Sequence, residues 1–295
     1  MLTLEDLAAI ARNHSDDLAP AVAGFELGGR QFGGTAAPAL MGVINLSPDS
    51  WYRESVCLTA DSAIQRGHVL AAQGAAILDI GAESTLAHAA RADAAVQNSR
   101  LLPVIRELSG AGHIVSVETY QPEVTRACLE AGARVLNLTG TDRSADMYRM
   151  VADHDAAVIL CYVQGANVRS VGDFQSGPDA PALMRDSFAR QIDEATSQGV
   201  RRLWVDPGLG FYYRNLQDSA TRIRHQMQVF LHTFRLRRLG WPTCHALPHA
   251  FECFGDEVRC AEPFFAVLAA LGKTDLFRTH EVPRTRAVLE TLALW

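Results

Sequence analysis

The sequence predicts an α/β protein, a (β/α)8 TIM barrel with an N-terminal helix and a β-hairpin in front of it. Between residues 39 and 295, eight short apolar runs alternate with stretches of helical periodicity. Each run has the length of a buried strand. The glycine-rich turn that usually follows the first strand of an open doubly wound sheet is absent from the sequence. We therefore divide the chain into an extension, residues 1–38, and a barrel, residues 39–295.

The extension contains two patterned segments. Residues 1–20 predict an amphipathic helix with Leu4, Leu7 and Ile10 on one face. Residues 24–33 alternate apolar and polar residues around Gly28-Gly29, which predicts a β-hairpin. A hairpin in this position is expected to plug one end of the barrel.

The barrel segments follow one another in a regular order. The predicted strands are residues 40–45, 76–80, 114–118, 135–138, 157–162, 202–206, 242–246 and 276–280. The predicted helices are residues 61–73, 98–109, 122–131, 144–153, 182–198, 215–239, 263–271 and 284–292. In this fold the polar residues at the carboxyl ends of the strands meet at one opening, where barrel enzymes bind their ligands.

Composition excludes several classes of function. The net charge of -6 provides no basic field, so we expect no nucleic-acid partner. No apolar run reaches the roughly 18 residues needed to span a bilayer, and early acidic residues replace the basic start of a secretion signal. We therefore expect a cytoplasmic protein without membrane contact. The six cysteines form no C-x-x-C pair and are expected to be free thiols. Lys273 is the single lysine.

Six predicted strands end in a polar residue: Asn45, Asp79, Glu118, Asn137, Asp206 and His280. Carboxylates beside an amide accept hydrogen bonds from the donor edge of a guanidine-like heterocycle and donate one to its carbonyl. Arg278 and His280 alternate on one strand, so they point to the same side and are suited to an anion near Asn45. The opening is therefore predicted to bind a planar heterocycle with a phosphate tail.

These strand ends lie in motifs that resemble dihydropteroate synthase and the wider pterin-binding TIM-barrel family. The motifs occur in the family's order from residue 41 to residue 282. They are Met41-Gly-Val-Ile-Asn-Leu-Ser-Pro-Asp-Ser, Leu78-Asp-Ile-Gly-Ala-Glu-Ser-Thr85, Val117-Glu-Thr-Tyr-Gln121, Val135-Leu-Asn137, Asp206-Pro-Gly-Leu-Gly-Phe211 and Arg278-Thr-His-Glu-Val282.

The resemblance implies a reaction in which 6-hydroxymethyl-7,8-dihydropterin diphosphate loses pyrophosphate and an arylamine attacks the resulting methylene cation. The pterin site it implies is Asp79, Glu118, Asn137, Asp206 and Phe211, with Glu118 and Asp206 as the catalytic carboxylates. The implied pyrophosphate site is Asn45, Arg278 and His280. The resemblance also implies Mg2+ bound through Asn45 and a homodimer. We predict an acceptor side at Thr85 and His245.

The sequence departs from the family pattern on the acceptor side. Cys244-His-Ala-Leu-Pro-His249 replaces the family's Ser-Arg-Lys motif, and Leu86 replaces an arginine. Glu118, Leu138 and Tyr162 also replace family residues. The pyrophosphate residues are intact. We therefore expect an enzyme that uses a pterin diphosphate with p-aminobenzoate or with a bulkier acceptor, such as a ribosyl-aminobenzene phosphate of methanopterin-type synthesis.

Two other functions are compatible with these departures. The missing lysine is compatible with a non-catalytic pterin-binding paralogue. A methyltetrahydrofolate-type, corrinoid-linked methyltransferase shares the fold, but it holds no diphosphate, so Arg278 and His280 count against it. His245 and His249 have three interpretations: a pterin contact in place of the lysine, metal ligands together with Cys244 and Cys253, or packing residues.

Overall fold

A computed structural model of the chain describes residues 1–50, 52–84, 89–175, 179–211, 213–216 and 218–295. The extension begins with helix α1 (Leu4–Asn13) and a 3-10 turn (Ser15–Asp17). Thr3 caps α1: its hydroxyl accepts from the backbone N–H of Asp6, and the Asp6 carboxylate accepts from that of Thr3. The hairpin follows as β1 (Gly24–Leu27) paired antiparallel with β2 (Arg30–Gly33).

Eight parallel strands form the barrel. They are β3 (Ala39–Asn45), β4 (Ile77–Gly81), β5 (Val115–Thr119), β6 (Val135–Leu138), β7 (Ala157–Cys161), β8 (Leu203–Asp206), β9 (Cys244–Ala246) and β10 (Leu276–Thr279). Their order around the sheet is β8-β7-β6-β5-β4-β3-β10-β9. A parallel bridge between Val205 and Thr243 joins the two outer strands, so the sheet closes on itself. The predicted (β/α)8 barrel is thereby confirmed.

Helices surround the strands. They are α2 (Ala60–Ala72), α3 (Ala94–Gly110), α4 (Pro122–Glu130), α5 (Ser144–Asp153), α6 (Ala180–Ser197), α7 (Ser219–His232), the short α8 (Phe251–Phe254), α9 (Ala261–Leu271) and α10 (Val282–Leu292). Four 3-10 segments join them: Arg53–Ser55, Arg214–Leu216, Thr233–Leu239 and Gly255–Cys260. Of the helices in the described ranges, none combines the length and the apolar composition that crossing a membrane requires.

Two predicted helices were wrong in their extent. The helix predicted over residues 1–20 is limited to α1, which ends at Asn13. Residues 215–239 do not form a single helix, because α7 ends at His232 and continues as the 3-10 segment Thr233–Leu239. The Thr233 hydroxyl donates to the carbonyl of Val229 at 2.9 Å, four residues back. A threonine that bonds to the preceding turn in this way bends a helix.

The hairpin closes the end of the barrel at which the strands begin. Phe25 and Phe32 pack edge-on against Trp204 of β8, with ring centroids 4.7 and 5.3 Å away. These three side chains belong to one apolar cluster with Met41 of β3 and Leu276 of β10. The expected plug is therefore present, and the opposite end of the barrel is the one that is open.

Candidate active site at the carboxyl ends of the barrel strands

Neighbouring strands deliver a set of polar side chains to the barrel interior. Alternate residues of a barrel strand face inward, which places Asp79, Glu118 and Asn137 on one wall. Asp79 is fully buried and accepts hydrogen bonds from the Ser116 hydroxyl at 2.6 Å and the Asn137 amide at 3.2 Å. The orientation of the Asp79 carboxylate is thus fixed before any ligand binds.

Arg278 lies between the carboxylates of this wall. Its Nε is 2.7 Å from Oδ2 of Asp79, and a terminal nitrogen is 2.5 Å from Oε2 of Glu118. The sequence predicted that Arg278 belongs to an anion site with His280 and Asn45. All three residues line the same pocket, and the guanidinium is paired with the two acids.

Asp206 completes the wall from β8. It is buried and accepts a hydrogen bond from the backbone N–H of Gly208 at 2.8 Å. Gly208 has φ +73°, and a Cβ at this position would lie 2.4 Å from the carbonyl oxygen of Tyr162, so only glycine fits. Burial raises the pKa of Asp206 to about 6, against the opposing effects of the Gly208 N–H and Arg278.

Glu118 experiences a similar balance. Burial raises its pKa, and the nearby Arg278 offsets only part of this effect. Asp206 and Glu118 thus bear charges that the apolar surroundings disfavour. Such paired, perturbed acids in a concave site are typical of functional positions.

The pocket above these acids has a mixed polar and apolar lining. It encloses about 970 Å3, part of it continuous with solvent. Asn45 lies at its edge and donates its amide to the Ser55 hydroxyl at 2.6 Å. The other predicted residues in its lining are Glu118, Phe211, Arg278 and His280. Asp79, Asn137 and Asp206 are buried and are not part of this lining. The structure therefore brings part of the predicted set to one opening and places these three residues in the buried wall.

A second polar cluster lies beside the opening, around Glu262 of α9. Oε1 of this buried carboxylate is 2.6 Å from Nδ1 of His280 and 3.5 Å from Nδ1 of His249. The Tyr52 ring packs on both imidazoles, with centroids 4.7 Å from His280 and 4.8 Å from His249. Burial and the neighbouring His280 lower the pKa of His249 to about 4. Burial and the neighbouring Arg278 likewise lower the pKa of His280 well below its ordinary value.

One of the two predicted acceptor-side residues, His245, is not part of this arrangement. His245 is completely buried on the outer side of β9, where its Nε2 is 2.7 Å from the Thr233 hydroxyl and its ring packs on Phe230. Its neighbours Cys244 and Ala246 face inward, so strand alternation turns His245 away from the pocket, and the prediction of its position was wrong. Thr85 lies outside the described residues.

Lys273 lies at the closed end of the barrel. Its Nζ donates to the carbonyl of Leu18 at 2.5 Å, and its position precedes β10. The single lysine of the chain therefore does not reach the pocket.

The sequence analysis missed two residues of the second cluster. Glu262 is the only acid in the otherwise apolar helix α9, and a lone acid of this kind is a detectable signal of a buried charge. Tyr52 gave no such signal, because an aromatic residue after a strand end is ordinary.

The fold and the site together define a class of protein. A closed parallel barrel that brings acids, amides, an arginine and a histidine to the carboxyl ends of its strands is a barrel enzyme for a polar small molecule.

Comparison with known proteins identifies the family. Residues 41–244 match the model of the family described as pterin binding enzyme. The dihydropteroate synthase of Mycobacterium leprae is 35% identical over 265 residues, which cover 87% of this chain and 93% of that protein. The chain belongs to the pterin-binding enzyme family and is a dihydropteroate synthase-like transferase.

Solved structures agree with this assignment. Dihydropteroate synthase of Xanthomonas albilineans with 4-aminobenzoic acid superposes with a TM-score of 0.77 at 28% identity, covering 93% of this chain and 98% of that one. The same enzyme in complex with 7,8-dihydropteroate gives a TM-score of 0.74 at 27% identity, covering 92% and 98%.

Proposed function

We propose that the protein condenses 6-hydroxymethyl-7,8-dihydropterin diphosphate with an arylamine and releases pyrophosphate. The observation that carries this proposal is the binding of the Arg278 guanidinium by Asp79 and Glu118. The 2-amino-pyrimidinone edge of a pterin presents a comparable row of N–H donors. The wall therefore already binds a group with the hydrogen-bonding pattern of the proposed substrate.

Substrate binding requires Arg278 to leave this position. Arg278 and His280 come from the same end of β10 and line the same pocket as Asn45. When the pterin edge takes the place of the guanidinium on Asp79 and Glu118, Arg278 becomes available to the diphosphate. An arginine fork then binds phosphate oxygens in bidentate geometry.

The reaction breaks the bond between the pterin methylene carbon and the diphosphate oxygen. A carbon–nitrogen bond to the amine replaces it, and the amine loses a proton. Glu118 and Asp206 stabilise the positive charge that develops on the methylene group, and Arg278 with His280 stabilises the departing pyrophosphate. Both tasks depend on charges that the fold holds in place before the reaction.

The site also fits a Mg2+ ion bound with the substrate. Mg2+ commonly uses one or two protein oxygens together with phosphate oxygens and water. The Nδ2 group of Asn45 is committed to Ser55, which leaves its carbonyl oxygen as a ligand at the edge of the pocket. Asn45 would hold the ion, which would neutralise charge on the diphosphate.

The amine acceptor is p-aminobenzoate or a bulkier arylamine such as a ribosyl-aminobenzene phosphate. The relative from Xanthomonas albilineans was solved with 4-aminobenzoic acid. In this chain the acceptor segment contributes the small or uncharged side chains of Ala246, Leu247 and Pro248 to the pocket lining. Their size supports a larger acceptor.

Pyrophosphate release tests the proposal. The purified protein is mixed with the pterin diphosphate, Mg2+ and either amine, and pyrophosphate and the coupled pterin are both quantified. Glu118→Gln is expected to lower kcat by about 100-fold, because it removes a positioned charge. The matched control is Glu290→Gln, the same change at a largely exposed side chain, which is expected to leave kcat unchanged.

The outcomes separate the competing functions. Binding of the pterin diphosphate without release of pyrophosphate with either amine would identify a non-catalytic pterin-binding protein. Transfer of a methyl group from methyltetrahydrofolate would identify a methyltransferase. Either result overturns the proposed condensation.

We also propose that the chain forms a homodimer through its outer helices. Phe264 and Leu271 of α9 and Leu292 of α10 are exposed apolar side chains, 42%, 52% and 38% accessible, and α9 and α10 pack side by side. Light scattering after gel filtration measures the mass, and a monomer at micromolar concentration would contradict this proposal.

A further inference from the structure

The geometry points to a transition-metal site of the Zn2+ class at His249, Glu262 and His280. One ligand atom from each residue lies within 4.8 Å of the other two. The resulting set, two imidazoles and one carboxylate, is a common set of zinc ligands in proteins. This site goes beyond the proposed condensation and does not depend on it.

The Glu262 carboxylate is held in a fixed orientation. Its Oε2 accepts from the backbone N–H of His280 at 2.8 Å, from that of Glu281 at 3.2 Å and from the Thr279 hydroxyl. Three donors on one oxygen leave Oε1 directed at the two imidazoles. Outer hydrogen bonds of this kind orient the ligands of metal sites.

His249 supplies an independent observation. Its side chain is 14% exposed, and its Nδ1 atom is buried without a hydrogen-bond partner in the described part of the chain. A buried polar atom normally has a partner, because leaving it unpaired costs about 1–3 kcal/mol. Its nearest carboxylate oxygen, Oε1 of Glu262 at 3.5 Å, is already hydrogen-bonded to Nδ1 of His280. A metal ion bound by all three residues would satisfy the His249 nitrogen.

The ligand atoms lie within 4.8 Å of one another and must adjust to the spacing of a metal site. Ligands about 2.0–2.2 Å from a tetrahedral Zn2+ are roughly 3.3 Å apart, and Oε1 of Glu262 lies 2.6 Å from one imidazole nitrogen and 3.5 Å from the other. The Tyr52 ring packs on both histidines and limits their movement. Both histidines line the pocket, so the remaining coordination position is accessible to water or to phosphate oxygens.

The ligand set distinguishes this site from the proposed Mg2+ position. Mg2+ prefers oxygen ligands, whereas imidazole nitrogens favour Zn2+ and related ions. The nearby Arg259 and Arg284 form ion pairs with Glu281. A divalent ion would therefore supply compensating charge directly to the buried Glu262.

Metal binding by the chain alone tests the proposal. Chelator-treated protein is titrated with ZnCl2 in a calorimeter, without any pterin. The zinc that remains bound after dialysis is then quantified. In a separate sample Co2+ replaces Zn2+, and its visible absorption spectrum is measured. We expect one Zn2+ per chain and the intense spectrum of four-coordinate Co2+. His249→Phe keeps a ring on Tyr52 and is expected to weaken binding more than about 100-fold, because loss of an outer partner alone costs about 10–100-fold.

Two controls remove competing zinc ligands elsewhere. His113→Gln breaks the His68–His113 pair, whose ring nitrogens are 3.0 Å apart at another surface. The double change Cys253→Ser and Cys260→Ser removes the exposed thiols. Both controls are expected to bind Zn2+ like the parent, and Glu262→Gln, like His249→Phe, is expected to lose the ion.

The result that overturns the site is a parent that binds no stoichiometric Zn2+, or a His249→Phe variant that binds it unchanged. Loss of the ion in either control would also assign it elsewhere. The two proposals fail separately: a protein that releases pyrophosphate but binds no Zn2+ loses only the metal site. One that binds Zn2+ without any condensation loses only the proposed function.

Discussion

The two ends of the barrel interior differ in what they contribute to the protein. The closed end is apolar, with Trp204 packed edge-on against Phe25 and Phe32 of the hairpin. Its burial removes large apolar surfaces from water and stabilises the fold. The open end, only two residues further along β8, holds Asp206 among other buried charges. The same strand thus carries Trp204, which stabilises the fold, and Asp206, whose buried charge destabilises it.

Burying charges at the open end costs free energy of folding. Arg278 compensates Asp79 and Glu118, but a buried ion pair seldom recovers the whole free energy of removing its charges from water. The two ends of the same strands therefore have different roles: one stabilises the fold, and the other carries the groups proposed to bind the ligand. Changes at the two ends are therefore expected to have opposite effects on stability.

The largest expected effect is at the closed end. Trp204→Ala removes the ring on which both phenylalanines pack, and we expect a loss of about 3–5 kcal/mol in the free energy of unfolding. Urea unfolding followed by circular dichroism measures this change. Pterin binding at low temperature is expected to persist in the folded fraction. A loss below about 1 kcal/mol would show that the plug does not stabilise the barrel.

Asp206→Asn is expected to have the opposite sign. The folded pKa of Asp206, about 6, exceeds its ordinary value of 3.8, so protonation stabilises the fold. This contribution is complete below pH 3.8 and is lost as pH rises through about 6. Asparagine keeps the neutral form at every pH. We therefore expect a gain of about 1–3 kcal/mol at pH 8.

Urea unfolding of parent and Asp206→Asn at pH 8 and pH 4 checks this prediction, because the gain should disappear at the lower pH. Pterin binding by the variant should fall at pH 8, since the carboxylate is lost. A destabilised variant at pH 8 would mean that the Asp206 charge is better compensated than its burial indicates.

A smaller effect is expected for the pH dependence of pterin binding. The proposed pterin site includes Asp206, whose ionised form decreases below pH 6. We expect the affinity to fall about tenfold from pH 7 to pH 5. Fluorescence titration measures the affinity, and Asp206→Asn is the control, whose profile should be flat. An affinity that increases toward pH 5 would contradict the assignment.

The smallest effect is expected for His245→Leu. Its ring lies outside the pocket, and its Nδ1 has no hydrogen-bond partner among the described residues. The Thr233 hydroxyl retains its bond to Val229. We expect stability within about 1 kcal/mol of the parent and an unchanged KM for the amine. A substantially higher KM in steady-state assays would return His245 to the acceptor side.

Much of the fold could be predicted because parallel barrel strands are buried on both sides. Such strands appear in the sequence as continuous apolar runs, and β6 (Val135–Leu138) has the predicted limits. The meeting of Glu118, Arg278 and His280 in one pocket followed from their places at strand ends. These properties depend on local pattern and on the fold class alone.

The remaining features depend on three-dimensional choices. The long side chain of Arg278 reaches several partners, and only the packed barrel shows that it binds Asp79 and Glu118. Side chains of β9 face alternately into and out of the barrel, and the sequence alone does not show which set contains His245. The meeting of Glu262 with His280 requires the register of α9 against β10, which no local pattern specifies.

The position of Lys273 has a practical consequence. Because it is the chain's single lysine and lies at the closed end, an amine-reactive fluorophore has one side-chain target, far from the opening. A reporter or a surface tether attached there leaves the ligand-binding face unobstructed, so the protein can be immobilised in a uniform orientation.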